Sequence, residues 1–512
     1  MNILLIHPYI TVTTRETVLT EPIGLMSLAS YLEEIYKDKI KVNILDLYAL
    51  GDDNLKEKDD MYVFGLNDKK EIEEQLRIFS PDLIGIHCNF TGFCQDSYQL
   101  AAIVKSLCPG IPVILGGAHA TMEAEKILEE HLCIDYVVCG EGELTLKELT
   151  DIFIQERGQD VSGITGLCYR NSDGTIIRNQ DRQLIADIDS LPFPSRKFIN
   201  TDFYMRMNAK SLPFTKREPL GILMTSRGCP FNCIFCSTKI MWKRHWRALS
   251  AERVIQDIEH LIKTEGVREI VIYDDQFIIN KKRVHKICDY LIVKKLGITL
   301  SLPAGTSVWL IDETLLKKMK KAGFYRLCFP IETGNLNSIK FIRKKINLSE
   351  ILEKIKIANR LGFWTQGNFI LGFPYETRKE IEETIKYAYN CGLDYVFFYI
   401  AKPFAGSEMY DIYKKEGLIQ GIPHSSQIFV SDCDTKTLKA DELNEIYAQA
   451  VNGYLPYKLK WYMNPRNFFN SLLVKLRSLD DIRYAMKILD LLVIRKIYNK
   501  FKTALSGSNA KL

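Results

Sequence analysis

The chain has 512 residues, 46% of them hydrophobic and 26% charged, with a net charge of +5. That length implies two or three domains, and the composition supports large buried cores and excludes global disorder. No apolar run reaches the roughly 18 residues of a spanning helix, and thirteen cysteines without a small-domain framework indicate a reducing compartment, the cytoplasm.

The opening MNILLIHPYI lacks a basic leader and a small-residue cleavage site, so it reads as a first strand and not a signal peptide. To about residue 155, short apolar runs (NILLIH, KVNIL, DLIGIH, PVILGG, DYVVCG) alternate with helical patterns (GLMSLASYLEEIY, CQDSYQLAAIVKSL, MEAEKILEEHL). Such alternation predicts right-handed βαβ units and a parallel sheet, with any ligand beyond the carboxyl ends of the strands. The loops after His7, His87 and Leu115 are therefore the ones to inspect. At Gly116-Gly117 the missing side chains let the backbone approach a bulky ligand, although tight turns use the same pair.

IGIHCNFTG, a helix, then PVILGGAHAT resembles the cobalamin-binding domain of methionine synthase and related corrinoid proteins, with its strand, Ser-x-Leu loop, helix, strand and Gly-Gly. His87 and Asn89 stand where that family has Ser and Leu. The Asp-x-His-x-x-Gly that supplies the family's lower histidine has no counterpart in HPYITVTTRETVLTEPIG. The resemblance implies a cobalamin site at His87, Asn89, Thr91, Gly116 and Gly117, without histidine ligation from the first loop. His87 and His119 are the histidines placed to reach cobalt, and each also reads as a hydrogen-bonded structural residue. GEGELTLKEL (140–149) looks like these proteins too, and equally like a domain-closing helix whose first-turn acids suit its dipole.

Residues 156–215 read as a linker with a small hairpin around Asp173-Gly174 and a Pro-punctuated connection. From 216 to 405 six strand runs (GILMTSR, EIVIYDD, LSLPAGT, RLCFPIE, TQGNFILGF, YVFFYIA) alternate with helices, predicting a partial (β/α)6 barrel with its chemistry at the carboxyl ends. Ser250 is a good N-cap for the first of these helices. Residues 406–512 read as a helical subdomain covering the barrel's open side, where substrate is expected. From residue 451 onward twelve Lys/Arg face three Asp. With the apolar periodicity of SLLVKLRSLDDIRYAMKILDLLVIRKIYNKF this reads either as a solvated basic face or as contact with an anionic membrane surface or an acidic substrate. No nucleic-acid partner is expected.

RGCPFNCIFCS (227–237) lies in the loop after the first barrel strand. Three cysteines are one short of a structural zinc site, and His245 is distant; a disulfide is disfavoured by number and compartment. Soft thiolates on one short loop favour an iron–sulfur cluster, in which three cysteines leave one iron of a cubane open. Cys229, Cys233 and Cys236, with Phe235 before the last, form the Cys-x-x-x-Cys-x-x-Cys signature that identifies the stretch as a member of the radical S-adenosylmethionine (SAM) superfamily. That resemblance spans roughly residues 220–405 and implies a [4Fe-4S] cluster whose open iron is chelated by SAM. Reduction then yields a 5′-deoxyadenosyl radical. It also implies a SAM site at Phe235, Asp274, Asp275, Glu332 and Gly372: Asp274 and Asp275 of YDDQF meet the SAM ammonium, Glu332 of FPIETG the ribose, and Gly372 of GNFILGFPYET the adenine, with KPFAGSEMY shaping the pocket. The aspartates also read as a helix N-cap, and Gly372 as part of a tight strand-to-helix turn.

Together the two regions resemble the cobalamin-dependent radical SAM enzymes. The fold expected is α/β: an N-terminal Rossmann-like, cobalamin-binding-type parallel sheet, a radical SAM partial (β/α)6 TIM barrel and a helical C-terminal region. The chemistry implied is methylation of an unactivated carbon of a biosynthetic intermediate, or of phosphorus. One SAM methylates cob(I)alamin and a second supplies the radical, because an electrophilic methyl cannot attack a non-nucleophilic carbon. The rival readings are oxidative cyclisation, ring rearrangement or carbon–carbon coupling with the same cofactors, a cobalamin-free N-terminal module, and a non-enzymatic iron–sulfur scaffold. The partners implied are a small-molecule or lipid-like substrate and an electron donor such as flavodoxin or ferredoxin.

Overall fold

The computed structural model describes residues 1–12, 20–51, 56–58, 61–155, 160–211, 215–304, 306–420 and 428–490. The strands Asn2–His7, Lys41–Asp46, Leu83–His87, Val113–Gly116 and Tyr136–Val138 form a parallel sheet, with Asn2–His7 paired to Lys41–Asp46 on one side and to Leu83–His87 on the other. Their nearly continuous apolar runs follow from helices on both faces. Ile3 and Leu5 pack on the helices Ile23–Tyr36 and Gly142–Ile154, while Leu4 and Ile6 pack on Cys94–Leu107 and Ala124–Glu130. The strand order reverses between Asn2–His7 and Leu83–His87. Successive loops diverge there and open a crevice at the carboxyl ends, flanked by His7 and His87.

The hairpin expected in the linker is present, but it belongs to this sheet. Leu167–Arg170 and Ile176–Arg178 run antiparallel beyond Tyr136–Val138 and bring the sheet to seven strands. The backbone edge that the last parallel strand would otherwise expose is thereby paired.

Six parallel strands, Leu220–Leu223, Glu269–Ile272, Thr299–Leu302, Phe324–Glu332, Trp364–Leu371 and Tyr395–Ile400, lie side by side in chain order, the arrangement of an open (β/α)6 barrel. Local chemistry sets the helix limits. The Ser250 hydroxyl accepts from the Arg253 N–H at 3.1 Å and Gly266 in the left-handed region ends that helix, as N-cap and C-cap preferences require. Thr377 and Glu380 form a capping box on Arg378–Asn390.

The C-terminal region goes to two places. Helix Ala440–Tyr462 packs on Tyr395–Ile400, the last barrel strand, and on Arg378–Asn390. The chain from Leu473 to Leu489 instead turns under the barrel, away from the expected substrate pocket. Tyr484 packs against Tyr325 and Trp364 and lies 3.4 Å from the Tyr395 hydroxyl, all at the amino ends of strands. The reason is that open end's own content: aromatic rings and buried ionisable groups that need partners. Among the described residues no helix is long and apolar enough to cross a membrane.

Candidate active site

The cysteine loop begins where the first barrel strand ends. After Leu223 the chain forms a short ribbon, Ser226–Arg227 against Arg247–Ala248, and Gly228 turns at φ 89°. A Cβ there would lie 2.1 Å from the His245 carbonyl oxygen, so only glycine makes this turn. The loop is then pinned by its backbone. The Ile234 N–H donates to the Ile342 carbonyl at 3.4 Å and the Ile234 carbonyl accepts from the Met409 N–H at 2.9 Å. Beneath it Ile234, Phe373, Ala401, Met409 and Tyr413 form a small core. The Phe235 ring joins that core, its centroid 6.1 Å from that of Phe373; its role visible here is anchoring the loop.

Cys229, Cys233 and Cys236 are half-buried free thiols. Burial, then repulsion from Cys236, Asp275 and Cys233, pushes the Cys229 thiol up to about 11. Burial also raises Cys233, which feels Lys344, Cys236 and Glu332. The three sulfurs thus converge on one region, with Asp275 near Cys229 and the Glu332–Lys344 pair near Cys233. Thiols in such a place become thiolates when a metal displaces the proton. Among the described residues no group of three His, Cys, Asp or Glu side chains is disposed to hold a single metal ion. Soft sulfur ligands on one short loop suit an iron–sulfur cluster.

The two aspartates separate. Asp274 is buried and both its oxygens are taken: it accepts from the Thr225 N–H and hydroxyl, each at 2.5 Å, and from the Ser226 hydroxyl at 2.7 Å. It ties the root of the cysteine loop to the second strand and does not face a ligand, contrary to the expectation for it. For Asp275, among the described residues, neither a hydrogen bond nor an ion pair engages the carboxylate, and burial followed by the charge of Asp274 raises it to about 6. Glu332 ends its strand at φ 69° beside a register shift against Trp364–Leu371. A non-glycine residue in the left-handed region at a bulge re-aims its side chain. Its Oε1 accepts from Lys344 Nζ at 2.6 Å. Sequence reading missed Lys344, one of three consecutive basic residues in IRKK with nothing local to distinguish it.

Gly372 has φ 83° and a Cβ there would meet Leu443 at 2.4 Å. Its glycine is demanded by the C-terminal helix packing against it. The Glu376 carboxylate accepts from its N–H at 2.9 Å and so fixes the turn. In KPFAGSEMY, a Cβ on Gly406 would lie 1.8 Å from Ile240 and 3.4 Å from the Met122 sulfur, so this loop is wedged between the two domains.

At the crevice of the first sheet, His87 Nδ1 lies 3.4 Å from His7 Nδ1. Burial holds His7 down to about 4, and burial plus its neighbour hold His87 down to about 3, so the pair is neutral. His7 Nε2 is buried with no hydrogen-bond partner among the described residues. His119, by contrast, has both nitrogens engaged, by Thr91 Oγ1 at 3.1 Å and the Tyr98 hydroxyl at 2.7 Å. It therefore cannot reach a metal, and Thr91 serves to hold it. Asn89 Oδ1 accepts from the Ala118 N–H at 3.0 Å, capping the helix Ala118–Met122. A Cβ on Gly117 would sit 2.6 Å from the Cys88 carbonyl oxygen, so Gly117 answers to a backbone crossing. A Cβ on Gly116 would make only ordinary contact with Val138, at 3.9 Å, so nothing in the protein itself demands glycine there. A crevice at the switch point and a neutral imidazole pair with an orphaned buried nitrogen fit a large, flat, uncharged macrocycle. The helix Ala118–Met122 packs on Thr238–Trp242, the helix that follows Cys236, so the crevice and the cysteine loop adjoin.

The B12 binding domain family matches residues 10–150 and the radical SAM superfamily residues 223–388. An uncharacterized methyltransferase of Pyrococcus horikoshii is 35% identical over 413 residues, 80% of this chain and 83% of that one. The chain belongs to the cobalamin-dependent radical SAM enzyme family. The cytidylyl-2-hydroxyethylphosphonate methyltransferase of Streptomyces wedmorensis is 29% identical over 422 residues, 76% of this chain and 77% of that one. Among solved structures, the cobalamin-dependent SAM radical enzyme OxsB, with aqua-cobalamin and SAM bound, shares the fold, with a TM-score of 0.68, 17% identity, and coverage of 97% of this chain and 75% of that one. As a member of this family the chain is an enzyme whose cofactors are a [4Fe-4S] cluster, SAM and cobalamin. It acts on a small molecule and draws on an external electron donor.

Proposed function

We propose that this enzyme transfers a methyl group to an unactivated carbon, or to phosphorus, of a small biosynthetic intermediate. The observation that carries the reading is the packing of helix Ala118–Met122 on helix Thr238–Trp242, which sets the corrinoid crevice beside the cysteine loop. The methyltransferase names of the Pyrococcus and Streptomyces relatives support it. When bound, the cofactors supply a 5′-deoxyadenosyl radical and a transferable methyl group. Cys229, Cys233 and Cys236 hold the cluster. Asp275 is the free carboxylate for the SAM ammonium and Glu332, steadied by Lys344, the one for its ribose, with Phe235 and the Gly372 backbone shaping the wall. His87, Asn89, Thr91, Gly116 and Gly117, joined by His7, form the corrinoid cradle.

The test is anaerobic incubation of reconstituted enzyme with methyl-deuterated SAM, hydroxocobalamin, titanium citrate and the small-molecule extract of a strain lacking the gene. A product retaining all the methyl deuterium is expected. Accumulation of 5′-deoxyadenosine without any labelled product overturns methyl transfer and favours cyclisation or coupling.

For the partners, flavodoxin or ferredoxin fits the one-electron demand, and a cytoplasmic setting fits the free thiols. Peripheral contact with an anionic membrane surface is supported by helix Leu479–Leu489. Its inner face buries Tyr484 and Ile488, while Leu479, Ile482, Met486 and Leu489 are exposed at spacings of three and four that place them on one stripe. The basic residues Arg495 and Lys496 lie outside the described residues. Sedimentation with phosphatidylglycerol vesicles, lost in Ile482→Ser/Met486→Ser, is the expected result; equal sedimentation of that variant overturns the membrane reading.

A further inference from the structure

Two buried carboxylates of the first domain grip two arginines next to the cysteine loop. Arg227 Nη1 donates to Glu141 Oε1 at 2.6 Å and its Nη2 to Glu143 Oε1 at 2.7 Å. Arg247, its partner across the ribbon, donates to Glu141 Oε2 at 2.8 Å and Oε1 at 3.1 Å. The Ile185 N–H also donates to Glu141 Oε2, at 2.8 Å. Burial alone would raise the Glu141 carboxyl, but the guanidinium groups of Arg247 and Arg227 hold it below the usual carboxylate range. All of its acceptor capacity is used.

The network reaches in both directions. Toward the cluster, Arg227 is separated from Cys229 only by Gly228, which lies too close to the His245 carbonyl for any side chain. Toward the crevice, Glu141 follows Gly140, whose N–H donates to the Thr121 hydroxyl at 2.9 Å. Thr121 belongs to the same helix, Ala118–Met122, that leaves Gly117. A contiguous chain of contacts therefore runs from the corrinoid loops to Cys229. For stability alone an apolar contact would serve as well or better; bidentate guanidinium–carboxylate pairs add direction and distance.

We propose that Glu141 and Glu143 are positioning residues that set the register between the two cofactor sites through Arg227 and Arg247. The proposal rests on the two-cofactor reading above. It concerns the step in which the SAM methyl passes to cob(I)alamin and S-adenosylhomocysteine leaves, which needs both sites aligned. Reductive cleavage of SAM to methionine and the 5′-deoxyadenosyl radical takes one electron from titanium citrate and needs only the barrel.

The experiment compares wild type, Glu141→Gln and Glu141→Asp, each reconstituted with cluster and hydroxocobalamin, for S-adenosylhomocysteine and 5′-deoxyadenosine in one vessel. In Glu141→Gln, S-adenosylhomocysteine formation falls by about 10²-fold, the scale of a 1 Å misplacement, with 5′-deoxyadenosine within about twofold of wild type. Glu141→Asp, which keeps the charge, recovers part of the loss. Hydrogen exchange of the cofactor-free proteins provides a second readout: segments 139–145 and 225–230 loosen together in Glu141→Gln. If Glu141→Gln fails to fold, Glu143→Gln, which frees only one Arg227 nitrogen, takes its place. Equal loss of both products at wild-type iron content, or no change in either, overturns the positioning role. Wild type that forms no cobalamin-dependent S-adenosylhomocysteine overturns the two-cofactor reading itself, and the proposal with it.

Discussion

The two ends of the barrel both bury ionisable groups, and they differ in how completely those groups are satisfied. At the amino end Glu269 accepts from the Tyr325 hydroxyl at 2.6 Å and from the Lys216 and Arg217 N–H groups at 2.7 and 2.8 Å. Lys475, fully buried, pairs with Asp394 at 2.5 Å and donates to Asn359 at 2.8 Å. At the carboxyl end three thiols are held together against burial and mutual repulsion, Asp275 has no partner among the described residues, and Glu332 is held in a strained conformation. Burial of charge is common to both and so marks neither as a site. The difference is a carboxylate left unpaired among the described residues: Asp275 at the cysteine end, against Glu269 and Asp394 fully paired at the other, where unpartnered neutral atoms such as Trp364 Nε1 also occur.

The sharpest break of this contrast is Cys233→Ala. Iron content and reductive SAM cleavage should disappear, while the apo protein melts where wild type does; retained 5′-deoxyadenosine formation would place the cluster elsewhere. Lys475→Met should do the reverse. Leaving Asp394 buried without its cation costs about 3–5 kcal/mol of stability in urea unfolding, with iron bound per folded molecule unchanged. A stability loss below 1 kcal/mol would show, on the scale of ordinary surface substitutions, that the amino end is not a structural plug.

The histidine pair gives a third test. His7 sits near 4 in the folded protein against about 6.5 unfolded, so the unfolded state takes the proton that the folded state refuses. Its contribution is intact above pH 6.5 and is lost as pH falls toward 4, amounting to about 2 kcal/mol between pH 7 and pH 5. Unfolding of His7→Phe should show a correspondingly shallower acid dependence; an unchanged slope would remove His7 as its source. The smallest effect distinguishes neighbours. Asp275→Asn should weaken SAM binding about tenfold, near 1.4 kcal/mol, with stability unaltered. Asp274→Asn should cost about 1–3 kcal/mol of stability by unsettling Thr225 and Ser226. Reversed outcomes for the two aspartates would reverse their roles.

The barrel and the parallel sheet were legible because alternation of apolar runs and helical periods survives in linear sequence. The cysteine loop was legible because its three cysteines lie within eight residues. Glu141 and Glu143 were readable as helix-opening acids, yet their partners Arg227 and Arg247 lie 86 and 106 residues from Glu141, beyond any local pattern. Asp274 and Asp275 are adjacent and identical in type, so only strand geometry assigns one to structure and leaves the other open. His119 is as suited to a metal as His87 by sequence, yet Thr91 and Tyr98 occupy its two ring nitrogens.

By itself the sequence determined the three-cysteine loop, the six-stranded barrel and the first domain's parallel sheet, because spacing and periodicity are properties of neighbouring residues. The tertiary structure decided the rest: which aspartate is free, which histidine is spent, and that the basic tail's last described helix plugs the end opposite the cysteine loop. It also decided that the GEGE turn locks the two domains at the root of the cysteine loop. Those outcomes depend on hydrogen-bond and ion-pair partners brought together from distant segments, and a buried polar group's role is set by whether such a partner arrives.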